Sequence, residues 1–485
     1  MTRLRAILIL STLLVTGLVL ARPGASLVAA HVQREPSTSS APSTGAQAPA
    51  NASPAPTLAS PGASPTASKE AGKPVEAYSL SPEKYRQAVE YARARYRLYF
   101  IDTLYGLLLL FATLHWRIGA RFRDWAEGAK RPEDPVGTES KKGSRRRIVQ
   151  VLIFAPLLVV TLTGLELPID AYSQSLALRF QQSIQGWGSW MWDWTKGGLI
   201  SLLVGTLLCW LLYGVIRRSP RRWWFYFWLV SIPLIVITVF IVPLVIEPLF
   251  YKFEPLASAQ PALAQEIGQV VERAGMHIPA DHMFEMLASQ KLKSVNAYVT
   301  GIGGSKRVVV WDTTVADMTR PEVLFVFGHE MGHYVLGHIW KGILFSIAVV
   351  LVFLYLGFHS LRWSVARWGA GWGIRGVDDW ASLPVLLLLF SILTFLGSPI
   401  FNGFSRIQEH HADIYGLEVT HGLTPDSQQV AARAFQVLGE IDLSDPDPSP
   451  FIEFWLFSHP SIKDRIDFAL HYDPWKRGGE PQFVK

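Results

Sequence analysis

Long apolar runs alternate with polar stretches along this chain. Six of the runs are long enough to cross about 30 Å of hydrocarbon as helices, although the two shortest are borderline at 17 and 18 residues. The runs lie near 99–116, 148–166, 197–216, 223–246, 342–358 and 381–401. We therefore predict a mainly α-helical, polytopic membrane bundle.

Two polar stretches flank the last pair of apolar runs. One covers 247–341, and the other begins near 399. Together they are long enough for one small globular α+β domain, whose chain is interrupted by the last two spans. The predicted division is an N-terminal membrane domain with four spans over 78–246, the split domain over 247–475 and a tail over 476–485.

The N-terminal region has a different pattern. Two arginines, an apolar stretch and three small residues before His31 are typical of a secretory signal peptide over 1–30, and the alternative is a short membrane anchor. Between His31 and Val75, 30 of 45 residues are Ala, Pro, Ser or Thr. Such a composition buries too little apolar surface to offset chain entropy, so we predict a disordered linker over 31–77.

The composition agrees with a membrane protein and limits the chemistry. Charged residues make up 17% of the 485 residues, against about 25% in soluble domains. The single cysteine, Cys209, excludes a disulfide within the chain and a thiolate zinc cluster, so any metal must use histidines and carboxylates. The net charge of +6 is mild, and the basic residues lie beside apolar runs, which argues against a nucleic-acid partner.

The charges of the short loops predict the orientation of the spans. The loop 117–147 carries ten basic residues against five acids, and 217–222 carries four basic residues and no acid. The positive-inside rule places both loops in the cytoplasm. Counting spans onward then places the split domain on the outer face of the membrane.

The strongest chemical signal is the sequence His329-Glu330-Met331-Gly332-His333. Thr319 and Glu322 have the spacing of a capping box before an apolar run, which predicts that the motif lies on a helix. Two histidines four residues apart then project from one helix face and suit a single Zn²⁺, with Glu330 beside them as general base. Two histidines packed in a buried helix would not explain the intervening glutamate.

Catalytic zinc usually has three protein ligands, so a third must come from another segment. His338 is a poor candidate, because five residues on a helix place it 140° from His333. The segment Ser405–Asp413 is the better source, with Glu409 and Asp413 four residues apart on a predicted helix. From the spacing alone, His410 or His411 as ligand, or a solvated charged face, remain open.

Several blocks of the chain resemble the type I CAAX prenyl proteases, which are membrane-embedded zinc metalloendopeptidases. The resemblance covers most of 78–475. The matching blocks are Tyr85–Phe100, Pro248–Pro255, Asn296-Ala297-Tyr298 with Arg307–Asp312, Gly328–His338, Ser405-Arg406 with Glu409 and Ala412-Asp413, and Ser458-His459-Pro460 with Arg465-Ile466.

The resemblance implies roles that the spacing leaves open. It makes Glu409 the third zinc ligand, Asp413 the acid behind a ligating histidine, and His459 a residue facing the substrate near the zinc. The chain departs from the family pattern at His410, where an aromatic residue is expected. The resemblance also implies a cytoplasmic catalytic domain, contrary to the loop charges.

A hairpin next to the predicted zinc helix is the candidate substrate site. The segments 294–300 and 306–312 flank a glycine-rich turn, and an exposed strand edge there would pair with an extended peptide. The resemblance places Asn296, Ala297 and Tyr298 on this side. Arg465 is a further candidate, although a structural ion pair is the commoner role of such an arginine.

These observations predict an integral-membrane zinc metalloendopeptidase with a zincin-like catalytic domain and one Zn²⁺ per chain. The resemblance implies trimming of C-terminal tripeptides from CAAX proteins. The expected partners are a peptide or protein substrate, prenylated or not, and the lipid bilayer. The alternatives are a membrane quality-control protease that cuts misfolded proteins, and a transporter or receptor with a relict metal site.

Overall fold

The computed structural model describes residues 74–128, 139–301 and 306–484. The predicted signal peptide or anchor and nearly all of the predicted linker lie outside these residues, as does the turn at 302–305. The described chain is mainly helical, with one small sheet.

Six helices in the described ranges are long and apolar enough to cross a membrane, which confirms an integral multi-pass membrane protein. Each overlaps one predicted run, and all but the fourth, which ends five residues before its run does, extend beyond it. The first begins after Ser81, whose side chain accepts the Lys84 N–H and so caps the helix. The six are α1 Pro82–His115, α3 Glu139–Arg179, α4 Trp187–Arg218, α5 Trp223–Ile241, α10 His338–Trp372 and α11 Leu383–Thr420.

One end of the bundle gathers the connections after α1, α4 and α10. The short helix α2, Ile118–Gly128, follows α1, and its buried Arg123 pairs with Asp379 and donates to the Gly373 carbonyl at 2.8 Å. Arg217 at the end of α4 donates to the Asp378 carbonyl at 3.0 Å. These contacts place both basic loops on one side of the spans.

The sheet has four strands in the order β1-β2-β4-β3. The pairs β1/β2 and β3/β4 are antiparallel and β2/β4 is parallel. The predicted hairpin is therefore present as β3/β4, and β3 is the terminal strand of the described sheet. The strands are β1 Phe253–Pro255, β2 Met283–Met286, β3 Ala297–Thr300 and β4 Arg307–Trp311.

The remaining helices build a domain at the other end of the bundle. Its core joins the sheet residues Val299 and Val308 to Phe325, Met331 and Phe435 on the helices. The helix α9 lies in the middle of this core. The helices are α6 Leu256–Ala259, α7 Pro261–Arg273, α8 Asp312–Asp317, α9 Arg320–Val335, α12 Ser427–Ile441, α13 Pro450–Leu456 and α14 Ile462–His471.

Both described ends of the chain are docked on this domain, whereas the sequence predicts a disordered linker over 31–77 and a separate tail over 476–485. Val75 exchanges two hydrogen bonds with the Gln429 side chain, so the last residues of the predicted linker pair with α12. At the other end, the Glu418 carboxylate accepts the N–H groups of Phe483 and Val484 at 2.7 and 2.9 Å. The predicted tail is therefore held by a buried carboxylate, a contact between positions too distant in sequence to predict.

Candidate metal centre

Three donor groups from α9 and α11 converge on one point. His329 Nε2 and His333 Nε2 are 3.1 Å apart. Glu409 places its carboxylate oxygens 3.3 Å from His329 Nε2 and 3.6 Å from His333 Nε2. The three residues form the single group of metal-ligand type found in the described part of the chain.

Close packing of α9 against α11 brings these donors together. A Cβ on Gly332 would lie 2.9 Å from Tyr415 Cβ and 3.2 Å from Ala412 Cα. A Cβ on Gly416 of α11 would lie 3.0 Å from the backbone nitrogen of His329. Glycine is therefore required for the two backbones to approach this closely. The helix α9 itself begins where predicted, with Glu322 accepting the Thr319 N–H at 2.8 Å.

Asp413 stands behind the first histidine. Its Oδ1 is 2.8 Å from His329 Nδ1, the ring nitrogen that faces away from the convergence point. Arg465 donates to both oxygens of Asp413, from Nε at 2.9 Å and Nη2 at 2.5 Å. Burial opposes the charge of Arg465, but the Asp413 carboxylate outweighs it and raises the pKa of the guanidinium. Arg465 thus holds Asp413 instead of facing an open substrate site.

His459 completes the buried cluster from the loop between α13 and α14. Its Nε2 is 3.0 Å from Glu409 Oε2, and its Nδ1 is 2.9 Å from the Ser458 hydroxyl. Burial lowers the pKa of His459 to about 4, although Glu409 opposes the shift. Arg406 holds the end of α13 by donating to the Phe457 carbonyl, and so supports the loop that carries His459.

Glu330 lies next to the donors but outside their convergence. It follows the buried His329 and is itself half-buried. On a helix, residue 330 lies 60° from residue 333, so Glu330 borders the His333 side of the site. The negative charge of Glu330 helps to raise the pKa of Arg465, so Glu330 lies close enough to interact electrostatically with the cluster.

The other histidines of the two motifs lie away from the donor group. The His410 ring is exposed and packs against Phe468 at 4.6 Å between centroids. The His411 ring packs against Phe483 at 5.7 Å. His338 is buried, and its Nδ1 approaches His333 Nδ1 at 3.0 Å.

The predicted substrate residues occupy different sides of β3. Ala297 belongs to the core shared with α9, whereas Tyr298 packs on the opposite face and donates to Glu247 at 2.5 Å. The Asn296 carbonyl accepts the Trp311 N–H from the neighbouring strand. Because the main-chain groups of successive residues in an antiparallel strand alternate in direction, those of Ala297 point away from β4, towards the outer edge of the sheet. Because Tyr298 packs on the face opposite Ala297 and α9, its side chain lies on the sheet face turned away from the donor group.

The donor geometry fits a zinc ion. Ligand atoms about 2.0 to 2.2 Å from a shared tetrahedral ion lie about 3.3 to 3.6 Å apart, close to the observed separations of 3.1, 3.3 and 3.6 Å. Glu409 Oε2 is buried and makes no hydrogen bond within the described ranges, although two imidazole nitrogens face it. A cation bound by His329 Nε2, His333 Nε2 and this carboxylate would compensate the buried negative charge, and two imidazoles with one carboxylate are donors that zinc accepts.

Sequence reasoning missed three features of this cluster. In the sequence Ser458 is only one residue of a motif block, and its contact with His459 depends on the loop conformation. Gly416 carried no signal, because its role is the close approach to His329 from a helix that lies 87 positions later in the chain. The helical spacing argues against His338 as a ligand, and it does not predict the contact of His338 with the far side of the His333 ring.

Two family profiles together match most of the chain. The profile of peptidase family M48 matches residues 257–473, and the profile of the CAAX prenyl protease N-terminal region, described as five membrane helices, matches 67–252. YhfN of Bacillus subtilis, named an uncharacterized metalloprotease, is 34% identical over 407 residues, which cover 83% of this chain and 90% of that protein.

More distant relatives share the architecture. CAAX prenyl protease 1 of Saccharomyces cerevisiae is 25% identical over 422 residues, with 82% of this chain and 88% of the relative covered. The crystal structure of S. mikatae Ste24p matches the fold with a TM-score of 0.68 at 24% identity, covering 84% of this chain and 93% of that one. The match to a peptidase profile and to metalloprotease relatives supports an enzyme over the transporter or receptor alternative. The chain belongs to peptidase family M48, among the multi-pass membrane metalloproteases of the CAAX prenyl protease family.

Proposed function

We propose that this protein is a zinc endopeptidase whose single Zn²⁺ is held by His329, His333 and Glu409. The observation that carries the proposal is the convergence of their donor groups, whose contacts are 3.1 to 3.6 Å long, together with a buried Glu409 oxygen, Oε2, that makes no hydrogen bond among the described residues. When bound, the zinc would act as a Lewis acid and make a water molecule acidic near neutral pH. Peptide hydrolysis then needs no covalent enzyme intermediate.

The surrounding residues have separate tasks in this proposal. Glu330 accepts the proton of the attacking water and delivers it to the leaving amine, the usual duty of the glutamate between the two histidines. His459, oriented by Ser458 at Nδ1, donates from Nε2 to the oxygen that becomes negative as the carbonyl is attacked. Asp413 holds the His329 ring through Nδ1, which leaves Nε2 for the metal.

The substrate in this proposal is an extended peptide. It would lie along β3, where the main-chain groups of Ala297 point to the outer edge of the sheet. Family membership favours trimming of C-terminal tripeptides from prenylated CAAX sequences. The loop charges favour a second candidate, a quality-control protease on the outer face, because that side lacks cytoplasmic prenylated proteins.

A direct assay on the purified full chain in detergent separates these functions. The substrates are a prenylated CAAX peptide, the same peptide without the prenyl group, and an unfolded protein, each with zinc and with a chelator present. We expect zinc-dependent cleavage of the prenylated peptide to release a tripeptide. Cleavage of the unfolded protein alone would favour the quality-control protease over the CAAX protease. Absence of chelator-sensitive cleavage of all three substrates would contradict the proposed function.

A further inference from the structure

His338 contacts the far side of a proposed zinc ligand. Its ring is 0% exposed, and its Nδ1 is 3.0 Å from His333 Nδ1. His333 offers its other nitrogen, Nε2, to the donor group. His338 therefore lies behind His333 as Asp413 lies behind His329.

The turn between α9 and α10 brings His338 to this position. On an uninterrupted helix His338 would lie 140° from His333. Instead α9 ends at Val335, and Gly337 adopts the left-handed conformation with φ of 68°. This turn redirects the chain before α10 begins at His338, so that the side chain returns over the His333 ring.

The contact restricts the protons on both rings. An imidazole that binds a metal through Nε2 carries its proton on Nδ1, and that N–H requires an acceptor. The atom that faces His333 Nδ1 is His338 Nδ1, which must then offer its lone pair. The proton of His338 consequently resides on Nε2, which is buried without a hydrogen-bond partner among the residues described.

We infer that His338 is a positioning residue that accepts the His333 Nδ1–H, and so fixes the ring orientation and tautomer that present Nε2 to the metal. The inference rests on the proposed zinc site and extends it to a residue outside the ligand set. His338 is not itself a ligand in this arrangement, because it meets the nitrogen of His333 that faces away from the donor group.

Zinc affinity of the full chain, measured by competition with a chromophoric chelator, tests the inference. His338→Leu removes the acceptor and is expected to weaken zinc binding about 10 to 100-fold, the usual cost of losing such a partner. His338→Asn places an amide oxygen near the Nδ1 position and is expected to stay within a few-fold of wild type. His411→Leu is the matched control, because His411 lies beside His338 and outside the donor group, and it should bind zinc normally.

One further variant and one further measurement keep the test decisive. If His338→Leu does not fold, His338→Gln replaces it, since its amide lies near the Nε2 position and leaves His333 Nδ1 unpaired. The visible absorption of the Co²⁺-loaded protein should change in His338→Leu or His338→Gln and remain close to wild type in His338→Asn.

The outcomes separate this inference from the proposed function. A wild-type chain that binds no zinc would contradict the metal site itself. A wild-type chain that binds zinc, with His338→Leu or His338→Gln equally tight, would overturn only the role of His338. Equal weakening in the Asn variant and in the Leu or Gln variant would show that His338 acts through packing, which also contradicts the inference.

Discussion

At the residue scale, Glu409 shows how neighbouring side chains acquire different environments. Glu409 is 2% exposed among three imidazole rings, whereas the next residue, His410, is exposed and packs on Phe468. One step along a helix turns a side chain by 100°, so only one of two adjacent residues can face α9. The burial of an acid at this point is costly unless a cation or donors compensate it.

The first prediction concerns the proposed base. Glu330→Gln should retain near-normal zinc, because Glu330 lies outside the donor group, and should lose nearly all peptide hydrolysis. Metal analysis and a peptide-cleavage assay on the same preparation check both parts. Retained proteolysis in this variant would remove Glu330 as the base.

The second prediction separates Glu409 from its neighbours. Glu409→Ala should lower zinc content and activity together, because it removes a converging donor. His410→Ala and His411→Ala should keep the metal, and they serve as controls on the same helix. Zinc loss in either histidine variant, with Glu409→Ala still loaded, would reverse the assignment.

The third prediction concerns Asp413. Asp413→Ala should cost about 10 to 100-fold in zinc affinity or activity, because the His329 ring loses its Nδ1 partner and Arg465 is left buried without its carboxylate. Chelator competition gives the zinc affinity, and thermal unfolding of the zinc-free protein reports the cost to stability. Unchanged zinc affinity would contradict the positioning role of Asp413.

At the element scale, the site depends on the distance between α9 and α11. Each helix carries part of the donor set, and neither part can hold a metal alone. The two helices touch through backbone atoms at Gly332 and Gly416, where a side chain would overlap its neighbour. The glycines therefore contribute to the proposed metal site without bearing a ligand.

The fourth prediction tests this close approach. Gly332→Ala should destabilise the fold by about 1 to 3 kcal/mol, because its Cβ would lie 3.2 Å from the Ala412 backbone, and should weaken zinc binding by separating the helices. Gly268→Ala on α7 is the matched control, since a Cβ there meets nothing within 4 Å and alanine favours a helix. Denaturant unfolding and chelator competition check both variants. Equal stability of the two variants would show that the helices have room to adjust.

At the scale of the whole molecule, the basic residues that determine membrane orientation lie together on one side of the spans. Arg123 and Arg217 contact the connection after α10, so that connection lies on the same side as the two basic loops. The segment 359–380 adds three arginines and two aspartates to that side. The domain with His329 and His459 lies at the other end of the spans, and the docked C-terminal residues are on it.

The fifth prediction is that the basic side is cytoplasmic and the catalytic domain is on the outer face. A reporter fused after Lys485 should be active if it requires the extracytoplasmic side and silent if it requires the cytoplasm. A fusion placed in the loop after α4 should give the opposite pattern and serves as the control. The reverse result would mean that the orientation implied by the family resemblance holds, and that packing of the helices overrides the loop charges.

The sequence by itself determined the membrane class, the six spans, the helix with His329, Glu330 and His333, and its N-terminal cap. These features depend on local properties, namely the length of an apolar run, helical spacing and hydrogen bonds between residues three or four apart. Family resemblance then selected Glu409 from candidates that the spacing left open.

Only the tertiary structure decided which side chains meet. The contact of His338 with His333 depends on a left-handed turn at Gly337, and the contact of Glu409 with both histidines depends on two glycine-lined helix faces. The Arg465 pair with Asp413 and the docking of the chain ends likewise join positions far apart in sequence. Such contacts are set by packing between elements, and no spacing within one element encodes them.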